Sequence, residues 1–308
     1  TMAWLDTLDD DDDWFCWMSF PDPHHPWDPP QEAVEKFDWR ELPLPDAYPG
    51  SVEKCIAVLD GKPRHWREWY LGEAQYAFEV PPAFVPAALS ADAIREVNAK
   101  VHAENELIDE AVGLVMDYLG RRDWNSETDI IYTTDHGEFQ GDFGMLFKGP
   151  YHVEGLMHLP FIWRPAPTED IAPVNIDAPV GHVDIAPTIA ARAGAGVPEW
   201  MQGRPLPLGA GTPERQNTTT EWIDTWDGNT VILRTLVQEG RYVITEYGAT
   251  NIYDGSEGEL YDLAEDPRQW RNLWDEPVHA TLKSHLLATL HDNMPEGRET
   301  PLEKVASV

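Results

Sequence analysis

The sequence predicts an α/β domain built on a doubly wound sheet, followed by a smaller antiparallel α+β subdomain. Three observations predict it. Ile94, Val97, Val101, Ile108, Val112, Val115 and Leu119 recur at three- and four-residue steps, so residues 90–120 read as one long amphipathic helix. That helix leads into 129–134, a β-branched and aromatic run, and helix followed by strand is the order of a doubly wound sheet. After about Gly203 the texture changes to successive short strands closed by a helix. The expected division is 1–205 for the α/β domain and 206–308 for the subdomain.

Taken in order, residues 1–8 read as the end of a helix and 9–13 as a solvated acidic turn. Residues 14–20 bunch and alternate large apolar groups, which reads as a core strand with Cys16 buried in it. The prolines at 21, 23, 26, 29 and 30 remove donors and fix φ, so 21–30 is irregular. Residues 31–89, rich in proline and tryptophan, read as a long ordered excursion. Ser90 can cap the long helix, Asp92 sits in its first turn, and Gly120 suits its stop. Residues 129–134 read as a buried parallel strand, and 159–163 as another short strand. Residues 182–188 lead into an Ala-rich helix ending near Gly194, with Asp184 as its cap. In the subdomain, strands are expected at 218–222, 231–237, 241–247 and 259–263, with Glu239-Gly240 as a tight turn. A last helix covers 277–291.

Charge and composition narrow the function. The chain of 308 residues is 42% hydrophobic, enough for a substantial core. Its 55 acidic against 22 basic residues give a formal net charge of -33. Such a surface repels nucleic acid and anionic membranes, so neither is an expected partner. An acidic, Lys-poor surface resembles that of proteins from high-salt settings. Two cysteines, Cys16 and Cys55, make no disulfide framework, and no apolar run reaches membrane-spanning length.

The residues with chemistry cluster after the strand at 129–134. Asp135 and His136 follow its end, where open α/β sheets place their sites. Adjacent residues on a straight strand face opposite ways, so both can hold one ion only where the strand breaks, and Gly137 supplies a break. Oxygen plus imidazole suits a divalent ion. Lys148, in a Gly-Pro loop just beyond, can bind a tetrahedral anion as a point charge. His24, pinned between Pro23 and Pro26, has little conformational freedom to lose on contacting a ligand. Each taken alone also fits an ordinary surface or packing role.

Together these residues resemble the sulfatases of the alkaline phosphatase superfamily, and the resemblance runs over essentially the whole chain. It is carried by Pro23-His24-His25-Pro26, the helical Leu107 to Gly113, Thr133 to Glu138 and Lys148-Gly149-Pro150 with His152. It continues through Leu159 to Arg164, His182 to Thr188, Met201 to Arg204 and Glu259 to Pro267. The resemblance implies an alkaline-phosphatase-like fold and hydrolysis of a sulfuric ester, from a small molecule or a carbohydrate. It implies that Asp135 and His136 are metal ligands, with Ca2+ the usual ion and Mn2+ or Zn2+ the alternatives. It makes His24 and Lys148 contacts to the sulfate group or its bridging oxygen, and His152 a further contact.

The chain also departs from the family. The Cys-x-Pro/Ala-x-Arg motif, whose cysteine becomes formylglycine, is matched by neither Cys16-Trp17-Met18 nor Cys55-Ile56-Ala57. An early Asp-Asp pair that completes the metal shell is also absent. The chain is therefore expected to be a carboxyl-terminal part, with the formylglycine upstream of it and little activity alone. A phosphonate or phosphate ester hydrolase of the same superfamily, and a non-catalytic binding or scaffold derivative, are the alternatives.

Overall fold

The computed structural model describes residues 1–77, 80–81, 83–206, 208–209 and 215–294. Two compact units divide the chain. The first holds 1–174 with 225–229 and 268–271; the second holds 175–224, 230–267 and the residues from 272 on. Residues 175–205, expected with the α/β domain, thus group with the second unit.

The long helix frames the first unit. Helix α1 is Met2–Leu5, α2 is Gln31–Val34, α3 is Val52–Leu59, α4 is Arg64–Tyr70 and α5 is Ala91–Arg121. The Ser90 hydroxyl accepts the Ala93 N–H at 3.0 Å, and Asp92 lies in the first turn of α5, where the helix dipole favours an anion. Ile94, Ala99, Val101, Ala103 and Leu119 line its buried stripe. Gly120 does not end the helix; α5 runs on to Arg121. Tyr118 and Arg122 instead hold that end: Tyr118 Oη donates to Asp6 at 2.6 Å, and Arg122 donates to Leu8 O and Asp10. The acidic turn at 9–13 is thereby tied to the helix end.

An aromatic core fills the centre of this unit. Trp66 and Trp69 of α4 meet Tyr151 at 4.5 and 5.2 Å between ring centroids, and Phe143 meets Trp66 at 5.2 Å. All four rings are buried. Such pairs contribute about 0.5–1.5 kcal/mol each beyond area burial. Tyr151 and Phe143 come from the segment after the candidate site, so this core fixes the loop that carries Lys148.

Two strand expectations need correction. Residues 14–20 form no strand, with Phe15 60% and Trp17 68% exposed, and Cys16 is half-buried. Its alternation is that of a strand, but it has no ladder partner among the described residues. Strand β1 (Ile130–Thr133) is neither fully buried nor parallel. It pairs antiparallel with β2 (Phe161–Arg164), Tyr132 opposite Ile162, and both of those side chains are exposed. The β-branched run marked a strand correctly; its direction is set by a pairing 28 or more residues away that composition does not encode. Helix α6 (Glu154–Met157) lies between the two strands in sequence.

The second unit matches its expected elements closely. Helix α7 (Ile185–Arg192) follows the turn at His182–Asp184. Asp184 does not cap α7 through its side chain. Its buried carboxylate instead pairs bidentately with Arg215 at 2.6 and 2.8 Å and accepts the Gly181 and Arg204 N–H groups. Strands β3 (Asn217–Trp226), β4 (Asn229–Gln238), β5 (Tyr242–Tyr247) and β6 (Gly258–Asp262) form one sheet in that order, with β4–β5 and β5–β6 antiparallel. Glu239 and Gly240 both take left-handed φ, 55° and 62°, as a type I′ turn requires. Helix α8 (Ala280–Asn293) lays Leu286 and Leu290 on Leu236, Ile244 and Leu260 of the sheet. No described helix is long and apolar enough to cross a membrane.

Candidate active site

Backbone turns, rather than strand alternation, gather the site. Past the end of β1 the chain bends, so the neighbours Asp135 and His136 turn toward each other, with Oδ2 and Nε2 3.6 Å apart. Gly137 permits the bend. Its N–H donates to Leu156 O at 2.9 Å, and a Cβ there would lie 2.0 Å from Gly155 O. Only glycine lets this backbone approach α6 so closely. The chain then doubles back: Phe139 N–H donates to Phe147 O at 3.1 Å and Gly141 N–H to Met145 O at 2.7 Å. This return delivers Lys148 beside the strand end.

Aromatic packing fixes the delivery. Phe147 takes a left-handed φ of 66°, a strained conformation for a residue with a bulky side chain. Its ring stacks on Trp27 at 5.3 Å and meets His25 and Phe84 edge-on, each at 4.9 Å. The loop at 21–30 is thereby clamped to the loop carrying Lys148.

The clamp brings His24 onto Lys148. The His24 ring stacks on His25 at 4.2 Å, and its Nδ1 lies 2.7 Å from His25 O. A carbonyl only accepts, so Nδ1 carries the proton and the neutral ring presents a lone pair at Nε2. Lys148 Nζ lies 2.7 Å from that atom, across 124 residues of sequence, and its ammonium donates to it. The His24 ring meets His136 edge-on at 6.4 Å. Four of the five expected residues, His24, Lys148, Asp135 and His136, therefore converge within one unit. His152 lies four residues past Lys148 and is buried, 4% exposed.

Asp135 and His136 have the donor chemistry of a divalent-ion pair. His136 Nδ1 donates to Gly137 O at 2.9 Å, which orients the ring so that Nε2 faces Asp135. The 3.6 Å between the two donors suits a shared ion with bonds of roughly 2.0–2.4 Å. Desolvation works to raise the Asp135 carboxyl. The His136 ring, backbone N–H groups and the Thr134 hydroxyl outweigh it and hold the acid below its ordinary range, in the ligating form. Among the described residues no group of three or more His, Cys, Asp or Glu side chains could hold an ion. The pair thus fits part of a shell.

Several contributors carry weaker sequence signals. His25, Trp27 and Phe147 neighbour expected site residues, but their packing role depends on the fold. Glu104, buried on α5, bears on the 21–30 loop through Asp22 and Asp28. Its signal is a charged residue between Val101 and Ile108 on the apolar stripe.

A family model for sulfatases matches residues 1–195, and a model for the C-terminal region of N-sulphoglucosamine sulphohydrolase matches 141–296. The chain belongs to the sulfatase family. It is 27% identical to an uncharacterized sulfatase, YidJ, of Escherichia coli K12, over 92% of this chain and 51% of that protein. It is 29% identical to the N-acetylglucosamine-6-O-sulfatase of Bacteroides thetaiotaomicron, over 64% of this chain and 37% of the other. Among solved structures, a phosphonate monoester hydrolase of Agrobacterium radiobacter superposes with a TM-score of 0.74 at 21% identity, covering 95% of this chain and 58% of that one. BT4656 in complex with D-glucosamine-2-N,6-O-disulfate superposes with a TM-score of 0.65 at 20% identity, covering 88% and 63%. These likenesses give the chain an alkaline-phosphatase-like α/β fold. The chain spans about half the length of the curated relatives it matches.

Proposed function

We propose that this site binds the sulfate group of a sulfuric ester, from a small molecule or a carbohydrate, and contributes to its hydrolysis. The single observation that carries the reading is the 2.7 Å contact between Lys148 Nζ and His24 Nε2, beside the Asp135–His136 pair. A lone lysine near a loop says little; one hydrogen-bonded to a histidine of fixed tautomer is held for a purpose. The pair carries one positive charge. As a nucleophile from outside this chain bonds to sulfur and the S–O bond to the alcohol breaks, negative charge grows on the leaving oxygen, and a preorganised cation there stabilises it. The shared proton can pass to that oxygen, which leaves the alcohol and a neutral Lys148–His24 pair. His152 is proposed as a further contact at the end of the same loop.

Asp135 and His136 would hold the divalent ion, proposed as Ca2+ with Mn2+ or Zn2+ as alternatives. When bound, the ion supplies Lewis-acid polarisation of the ester oxygens. The rest of its shell is proposed to come from residues outside this chain, as is the nucleophile. Neither cysteine lies in a Cys-x-Pro/Ala-x-Arg motif. Cys55 is buried, and burial pushes its thiol up, away from a reactive thiolate. This chain alone is therefore proposed to bind sulfate with little turnover.

The test is titration calorimetry with inorganic sulfate on the wild type and on Lys148→Ala. Binding by the wild type that Lys148→Ala weakens is the expected result. Equal binding by both overturns the reading. Methylphosphonate in the same experiment distinguishes sulfur from phosphorus: a clear preference for it favours a phosphonate ester as substrate.

A further inference from the structure

Beneath the His24 loop lies an acid that the proposed chemistry does not use. Glu104 is 3% exposed, on the inward stripe of α5. Its carboxyl accepts the Asp28 backbone N–H, so it grips the loop four residues past His24. Its second oxygen, Oε2, is buried and has no hydrogen-bond partner among the described residues. A buried carboxylate with an orphaned oxygen is costly, whereas a carboxylic acid in the same place turns one oxygen into a donor. The charged groups facing it are Asp22 and Asp28 of the loop and Lys100 of its own helix. Two acids against one base favour the neutral form.

We propose that Glu104 is a positioning residue for the His24 loop, and that its protonated form holds the loop where His24 meets Lys148. This rests on the sulfate-binding reading for its consequence, but not for its own geometry. The device works through charge. When Glu104 ionises, the new carboxylate repels Asp22 on one side of His24 and Asp28 on the other. Both lie in the loop that the Trp27, His25 and Phe147 rings clamp. Burial, then the Asp22 charge, outweigh the Asp28 N–H, which favours the ionised acid, and with the Asp28 charge push Glu104 up to about 7, so the change falls in the neutral range. The anion site is then set for slightly acid conditions and loosens as the solution becomes alkaline.

The test uses the whole chain and reads the loop directly. The Asp28 amide resonance is followed from pH 5 to 9 by heteronuclear NMR, in the wild type and in Glu104→Gln. Glutamine has the shape of the neutral acid, keeps an acceptor for Asp28 and cannot ionise. The wild type is expected to show a transition near pH 7 at Asp28, accompanied by the Trp27 indole N–H; Glu104→Gln is expected to show neither. Inorganic sulfate affinity, measured alongside, is expected to fall between pH 6 and 8 by roughly tenfold more in the wild type than in Glu104→Gln. A flat Asp28 amide in the wild type, or the same transition in Glu104→Gln, overturns the proposal. So do parallel sulfate pH profiles for the two proteins. Failure to bind sulfate at any pH would instead defeat the functional reading, and the ligand-free Asp28 signals would still decide the role of Glu104.

Discussion

Lys148 and His24 are joined by one hydrogen bond, and the chemistry of each depends on the other. Replacing Lys148 by alanine removes a charge-assisted contact worth about 1.5–3 kcal/mol, or roughly 10- to 150-fold in sulfate affinity. Lys148→Arg is expected to restore little, because a planar fork cannot take the place of a compact ammonium against Nε2. Calorimetry with sulfate checks both; full affinity in Lys148→Arg would show that only net charge matters. Gly137 carries a second prediction. Alanine there places a methyl group 2.0 Å from Gly155 O, and neither backbone can yield cheaply. Gly137→Ala is expected to lose about 1–3 kcal/mol of stability, as overpacking does. An unchanged thermal midpoint would contradict the close approach. At this scale the sequence was legible where a residue type and a break coincide, as at Asp135, His136 and Gly137. It was faint for Glu104, a charged residue on an apolar stripe, and absent for the Phe147 clamp, because their meaning depends on segments far away in sequence.

Helices with their own caps were the most legible elements. Ser90, the apolar steps of 94–119 and Asp92 specify α5 locally, and Ser90→Ala is expected to cost about 1 kcal/mol in urea unfolding. The hairpin at Glu239-Gly240 was legible for the same reason: its turn chemistry is local. Strands were legible as strands but not as sheets. Residues 14–20 have the alternation of a strand and no partner, and β1 has an antiparallel partner where a parallel one was expected. The coupling of α5 to the His24 loop also predicts a pH dependence. Folding raises Glu104 from its ordinary 4.5 to about 7, so the folded chain binds the proton more tightly than the unfolded chain. That contribution is complete below about 4.5 and is lost as the pH rises through about 7, on the order of 3 kcal/mol in all. Urea unfolding at pH 5 and 8 should therefore show the wild type losing stability relative to Glu104→Gln. Parallel losses in the two proteins would exclude Glu104 as the cause.

The whole molecule carries a formal net charge of -33, and that charge acts on the compact state everywhere at once. Self-repulsion opposes folding in dilute buffer, and salt at 1 M shortens the screening length to about 3 Å. Thermal unfolding followed by circular dichroism is expected to shift upward in molar potassium chloride; a midpoint unmoved by salt would mean that the acidic surface is already balanced locally. Charge was readable from composition alone, as was the α/β class from the order of helix and strand. The assignment of 175–205 was not, because grouping depends on contacts and not on texture. The central claim is that His24 and Lys148 act as one anion site. A double-mutant cycle in inorganic sulfate affinity tests it most directly, using His24→Ala, Lys148→Ala and the double variant. The account predicts a coupling of about 0.5–3 kcal/mol, with the second substitution costing much less than the first. Strictly additive losses, or sulfate affinity untouched by either substitution, would contradict it.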